Sequence, residues 1–115
     1  MTLARFYESL GGSLPAVLAR IPSEAMVRKF ARMYAGDTSC VELVRAVERS
    51  DWAAAFLAAH TLKGVALNLG LSNLAAPAVE LTEALRPCVP EGVDVEPLMA
   101  TLRKAYNETV EALGE

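Results

Sequence analysis

The chain has 115 residues, of which 53% are hydrophobic and 22% charged, with a net charge of −3; that suits one domain over residues 1–115 with ample core, and excludes a disordered chain. The basic residues are scattered apart from Arg28, Lys29 and Arg32, so no nucleic-acid partner is expected. A single histidine and two cysteines, Cys40 and Cys88, leave no metal-ligand spacing, and with no signal-peptide pattern and no apolar run long enough for a membrane, a cytoplasmic protein with two free thiols and no membrane contact is expected.

Taken in order, Leu3, Phe6, Tyr7 and Leu10 keep helical spacing and Gly11-Gly12 ends that segment. Ser13 can cap a second short helix with Pro15 in its first turn and Leu14, Val17, Leu18 and Ile21 on one face. These pieces, over residues 1–21, read as an N-terminal cap on a bundle that occupies 23–113. Residues 24–35 place Met26, Val27, Phe30, Met33 and Tyr34 on an apolar stripe. A turn at residues 36–39 follows, and Ser39 with Glu42 fits a capping box for a helix that turns Cys40, Leu43, Val44 and Val47 inward.

Ser50-Asp51 breaks this pattern and caps the next helix, where a carboxylate is favoured by the helix dipole. Gly70 is its expected stop. Ser72 or Asn73 starts a helix running to about Arg86 on Leu74, Ala78, Leu81 and Leu85; Pro77 within it predicts a kink or a late start. After a Pro- and Gly-containing loop, Asp94 or Glu96 caps the last helix, with Leu98, Leu102, Ala105, Tyr106, Thr109 and Leu113 on its buried stripe. There is no strand alternation, repeat or low-complexity tract. The expected fold is all-α, an antiparallel up-down four-helix bundle with short N-terminal capping helices.

The helix from Asp51 to Gly70 carries the chain's only histidine and is apolar on two opposite sides. Asp51, Ala55, Ala58, Leu62, Val65 and Leu69 fall along a core side; Ala53, Phe56, Leu57, His60, Lys63, Gly64 and Leu67 fall opposite. Two readings compete. A lone histidine on an apolar helix is most simply a hydrogen-bonded core residue. Lys63 on the same stripe argues that this side reaches solvent, because lysine is almost never fully buried without a partner. Gly64, at a cost of about 1 kcal/mol relative to alanine, leaves open ground beside the imidazole. An exposed imidazole ringed by apolar side chains marks a docking surface.

The stripe limits the chemistry. A hydrolytic triad needs a nucleophile and an orienting acid beside the histidine, and neither lies on it. Acid–base catalysis by His60 alone needs a concave pocket, which one exposed helix face is not expected to form. A phosphate carrier needs less: an imidazole nitrogen as nucleophile, a cation, and open in-line approach. His60, Lys63 and Gly64 supply these, and Ala53, Phe56, Leu57 and Leu67 give a partner apolar surface to bury.

The run Ala59-His60-Thr61-Leu62-Lys63-Gly64, with Gly70 ten positions after the histidine and Leu71 and Leu74 beyond it, resembles the signature of histidine-containing phosphotransfer (HPt) domains. The resemblance reaches out to Asp51 and to the segment from Glu80 to Leu85. It implies a helical-bundle phosphocarrier of a two-component phosphorelay that accepts a phosphoryl group on His60 from a receiver-domain aspartate and passes it to another. It further implies Lys63 as the motif's cation and Gly64 as its clearance glycine. Such a domain has no kinase or phosphatase activity and no cofactor of its own; Mg²⁺ and catalysis come from the receiver of a response regulator or hybrid sensor kinase. A carrier must keep its stripe free, so a monomer is expected. Val65 and Ala66 stand where many members have small or hydroxyl residues, and Thr82 stands where some place a glutamine from the next helix. Two alternatives stay open: a non-catalytic helical docking or adaptor domain with His60 idle, and a small enzyme using His60 as acid–base.

Overall fold

A computed structural model describes residues 2–35, 38–86 and 94–113, without the side chains of Tyr34, Ala35 and Leu113. These residues form seven helices and no strand: α1 (Leu3–Ser9), α2 (Leu14–Leu18), α3 (Glu24–Ala35), α4 (Ser39–Glu48), α5 (Trp52–Leu69), α6 (Ser72–Leu85) and α7 (Glu96–Leu113). Helix α5 is the hub. It packs on α4 along one flank and α6 along the other, α6 packs on α7, and α3 touches α5 and α7.

Local chemistry sets most helix ends. Thr2, Ser13 and Ser23 each accept a hydrogen bond from the backbone N–H three residues on, which satisfies one of the unpaired donors of the first turn. Asp51 does the same for α5, accepting from the Ala54 N–H at 3.2 Å. Gly70 ends α5 in the left-handed conformation at φ 66°, and the Asp94 carboxylate accepts from the Glu96 N–H at 3.0 Å at the start of α7. The α4 start differs from the expected capping box. Thr38, not Ser39, is the N-cap; its hydroxyl donates to the Glu42 carboxylate at 3.1 Å instead of accepting from the backbone, and Ser39 is buried as the first helical residue.

Pro77 lies inside α6, which nevertheless starts at Ser72. The late start therefore does not occur. The ring is buried against the core, so packing offsets the lost backbone bond. The start of α6 is also tied to α7: Asn73 Nδ2 donates to the Ala105 carbonyl at 3.2 Å and to the Thr109 hydroxyl at 3.1 Å.

Around α5 the core is mostly aliphatic, with Phe6 and Tyr7 of α1 added at one end. Ala55, Ala58, Ala59, Leu62, Ala66 and Leu69 of α5 are buried, a wider face than the expected core side, with Val65 only half-buried. Four alanines let α4 and α6 approach closely, and leucines from α4, α6 and α7 fill the space between them. On α3 the expected stripe is narrower: Val27 and Ala31 are buried, whereas Met26 is 40% and Met33 62% exposed. On α4, Ala46 is buried and Val44 and Val47 are half-buried; on α7, Met99 joins Leu102, Ala105 and Thr109 in the core. Cys40 is buried in the core, while Cys88 and the 87–93 loop lie outside the described residues.

The N-terminal helices close one end of α5. The Tyr7 hydroxyl donates to the Leu69 carbonyl at 2.6 Å, and Arg20 Nη2 donates to the carbonyls of Leu67 at 3.0 Å and Asn68 at 3.3 Å. These are carbonyls of the last turn of α5, where intrahelical donors run out; Leu67 also accepts from the capping Gly70 N–H at 3.4 Å. A Cβ on Gly12 would sit 2.8 Å from the Gly70 carbonyl oxygen, and one on Gly70 would strike Val17, so the two backbones meet where side chains cannot.

Candidate functional site

The middle of α5 has a different environment from its end. His60 is exposed, and so are Leu57 (63%), Leu67 (51%), Ala53 and Gly64. Phe56 and Lys63 are half-buried. All seven expected site residues lie on this outward side of the helix, so the buried-histidine reading does not hold. A Cβ built on Gly64 would meet nothing within 4 Å, so no packing among the described residues calls for glycine there.

Phe56 and His60 lie one helical turn apart, and their rings stack with centroids 6.0 Å apart and planes 18° from parallel. That separation falls in the range of favourable aromatic pairs and fixes the plane in which the imidazole presents its nitrogens. The face of Phe56 is shared with α6: the Arg86 guanidinium carbon lies 5.6 Å from its ring centroid, a cation–π contact. Arg86 in turn grips Glu83 through two hydrogen bonds, Nε to Oε2 at 3.1 Å and Nη2 to Oε1 at 2.8 Å. The Arg86 hydrogen bond holds the Glu83 carboxyl below the usual carboxylate range, and the charges of Arg86 and Lys63 act in the same direction. Lys63 is thus within electrostatic reach of α6, and the Phe56 ring that stacks on the imidazole carries the Arg86–Glu83 pair on its side.

Thr82 takes no part. It is fully buried, and its hydroxyl donates to the Ala78 carbonyl at 2.7 Å. The residue-by-residue count from the histidine therefore points to the wrong side of α6, and the side chain that faces the site from this turn is the next one, Glu83. Thr61, beside His60, is exposed, but its hydroxyl is spent on the Leu57 carbonyl at 3.0 Å. Among the described residues no three His, Cys, Asp or Glu side chains gather as a metal ion would need, and no helix is long and apolar enough to cross a membrane.

A family model for the Hpt domain matches residues 36–113, more than half of the chain. The chain belongs to the Hpt domain family. No curated protein and no solved structure matches it in the corresponding searches.

The Hpt match spans α4 to α7 and leaves α1, α2 and α3 outside. His60, Lys63 and Gly64 all fall within it, as do two residues that sequence reasoning missed, Glu83 and Arg86. For Thr82 a signal was present: it stands four residues after Ala78 and three before Leu85, on the row that is buried. For Arg86 there was none, because its contact with Phe56 depends on how α6 is rotated against α5.

Proposed function

We propose that this Hpt chain is a phosphocarrier of a two-component phosphorelay, taking a phosphoryl group from a receiver-domain aspartate onto His60 and passing it to a second receiver. The observation that carries this reading is the conjunction at mid-α5: an exposed imidazole oriented by Phe56, Lys63 three residues on, and a helix-interior glycine facing open space. In the transfer an unprotonated imidazole nitrogen attacks phosphorus in line with the aspartyl oxygen; an N–P bond forms as the acyl O–P bond breaks, and the aspartate leaves as a carboxylate. Lys63 offsets the charge gathered on the phosphoryl oxygens. Gly64 leaves room for the receiver, and Ala53, Leu57 and Leu67 give it apolar surface to bury. Phe56 serves more to hold the imidazole than to meet the partner, since its face is shared with Arg86.

The reading includes α4, α5, α6 and α7 as an antiparallel up-down bundle within one domain of residues 1–115, capped by α1 and α2. The chain has no kinase or phosphatase activity of its own, and the receiver brings Mg²⁺ and the catalytic groups. It works in the cytoplasm as a monomer, because self-association over the stripe would block receivers.

The test is transfer from a phosphorylated receiver domain in the presence of Mg²⁺. The expected result is label on this chain that is lost in acid, kept in base, and absent in His60→Gln, which remains folded because His60 lies outside the core. Equal labelling of His60→Gln contradicts the assignment. Receiver binding without any label leaves an adaptor bundle as the better description.

A further inference from the structure

The two flanks of His60 differ in charge. On the α6 flank, Arg86 is held by Glu83. On the α4 flank, Arg45 and Arg49 are both exposed and stand one turn apart, and their side chains form no ion pair or hydrogen bond among the described residues. They border a groove of about 400 Å³ between α4 and α5, whose opposite wall carries Ala54, Leu57 and Thr61. Leu57 is three residues before His60 and Thr61 is one after it, so the groove runs along the α4 edge of the stripe that carries the imidazole, although His60 itself does not line it.

The fold does not explain this pair. Two like charges at i and i+4 repel, by roughly 0.2–0.5 kcal/mol. The dipole of α4 favours a cation in its last turn, but a cation anywhere around that turn would meet the need, and here both border the same groove. Arg20, by contrast, is committed to the last carbonyls of α5. Neither nearby acid forms an ion pair with them among the described residues. The Glu42 carboxylate, at the edge of the groove, accepts the Thr38 hydroxyl and leaves a net excess of one positive charge along the lining. Glu48 lines the opposite groove with Arg103 and Tyr106, a groove that Arg45 also borders. On a chain of net charge −3 this is a local basic rim beside a 63%-exposed leucine.

We infer that the α4–α5 groove, with Leu57 as its apolar anchor and Arg45 and Arg49 as its basic rim, selects among receiver domains for one that presents an apolar surface flanked by acidic side chains. The inference rests on the carrier reading and names what that carrier recognises. Charges at the edge of an interface act on encounter and on the rejection of wrong partners more than on the reacting atoms, so the two arginines govern the concentration dependence of transfer and leave the chemical step to His60.

The experiment is single-turnover transfer from a panel of phosphorylated receiver domains to the 115-residue chain, with the chain varied through saturation at 50 and 300 mM salt. The expected result for Arg45→Glu/Arg49→Glu is a half-saturation concentration raised tenfold or more for the preferred receiver at low salt. The plateau rate should stay within twofold, and the salt dependence of the wild-type chain should be lost. An acid-to-lysine substitution on the preferred receiver should recover most of the affinity for the charge-reversed chain and lose it for wild type, a rescue that repair of helix stability would not produce. Arg45→Gln/Arg49→Gln, checked by thermal melting, gives a smaller change of the same kind. Transfer by the wild-type chain with an unchanged half-saturation concentration in the charge-reversed variant overturns the groove assignment alone. No transfer to the wild-type chain from any receiver overturns the carrier reading, and the groove assignment falls with it.

Discussion

Helix α5 has an end and a middle, and both contain a glycine. At the end, Gly70 is in the left-handed conformation at φ 66°, and a Cβ there would collide with Val17. At the middle, Gly64 is helical and a Cβ there would meet nothing. The same contrast holds for the cations: Arg20 at the end donates to two backbone carbonyls, while Lys63 at the middle forms no ion pair among the described residues and feels the charge of Glu83. Where the fold uses a residue, the chain itself contains the reason. At the middle of α5 the described residues contain no such reason, and the proposed receiver supplies one.

The comparison can be broken most forcefully at Gly70. Alanine there takes on the left-handed penalty, about 1–2 kcal/mol, and crowds Val17, at about 1–3 kcal/mol for overpacking. We expect Gly70→Ala to lose about 2–4 kcal/mol in denaturant unfolding, a large share of the roughly 5–15 kcal/mol that holds a domain. A loss below about 0.5 kcal/mol would mean that the α1–α2 clamp does not hold its closed geometry in solution.

Tyr7 sharpens the same end. Its hydroxyl is buried against the Leu69 carbonyl, and burial pushes its pKa up to about 12, against a smaller lowering by Arg20. The folded state therefore keeps a proton that the unfolded chain releases near pH 10. The contribution is complete below pH 10 and is lost as the pH rises toward 12. Tyr7→Phe leaves the Leu69 carbonyl without that donor, and we expect a loss of about 1–2 kcal/mol at neutral pH. Above pH 10 the gap between variant and wild type should close, read as the difference between their unfolding free energies across pH 8–12. A gap that widens with pH would contradict the buried neutral phenol.

How much of this was legible in the sequence follows the range of the interaction. Asp51 and Gly70 bounded α5 correctly because caps are made within three or four residues. The outward side of α5 was legible because Lys63 could not be buried beside His60. Periodicity failed where it had to say how much of a face is covered: Met26 and Met33 keep the α3 stripe but lie in the open. It also failed for contacts set by the rotation of one helix against another. Arg86 over Phe56, Glu83 in place of Thr82, and Tyr7 on Leu69 join residues 20 or more apart in sequence, and nothing in the spacing of one helix fixes the azimuth of the next.

The smallest expected effect on stability is the most telling. Gly64→Ala adds a methyl group into open space and removes the backbone entropy cost of a helix-interior glycine, so it should raise stability by about 1 kcal/mol and the melting midpoint by a few degrees. A natural chain that forgoes so simple a gain is using the vacancy, and stabilising changes are commonly costly at sites that must stay open. The same variant should then accept phosphoryl groups more slowly, because the new methyl stands one turn from His60 on the side a receiver must approach. Measured together, a higher midpoint with slower single-turnover transfer places the reason for Gly64 in the partner. A higher midpoint with unchanged transfer would make it an uncorrected defect of the helix, and a lower midpoint would mean that this part of α5 is more crowded than its geometry shows.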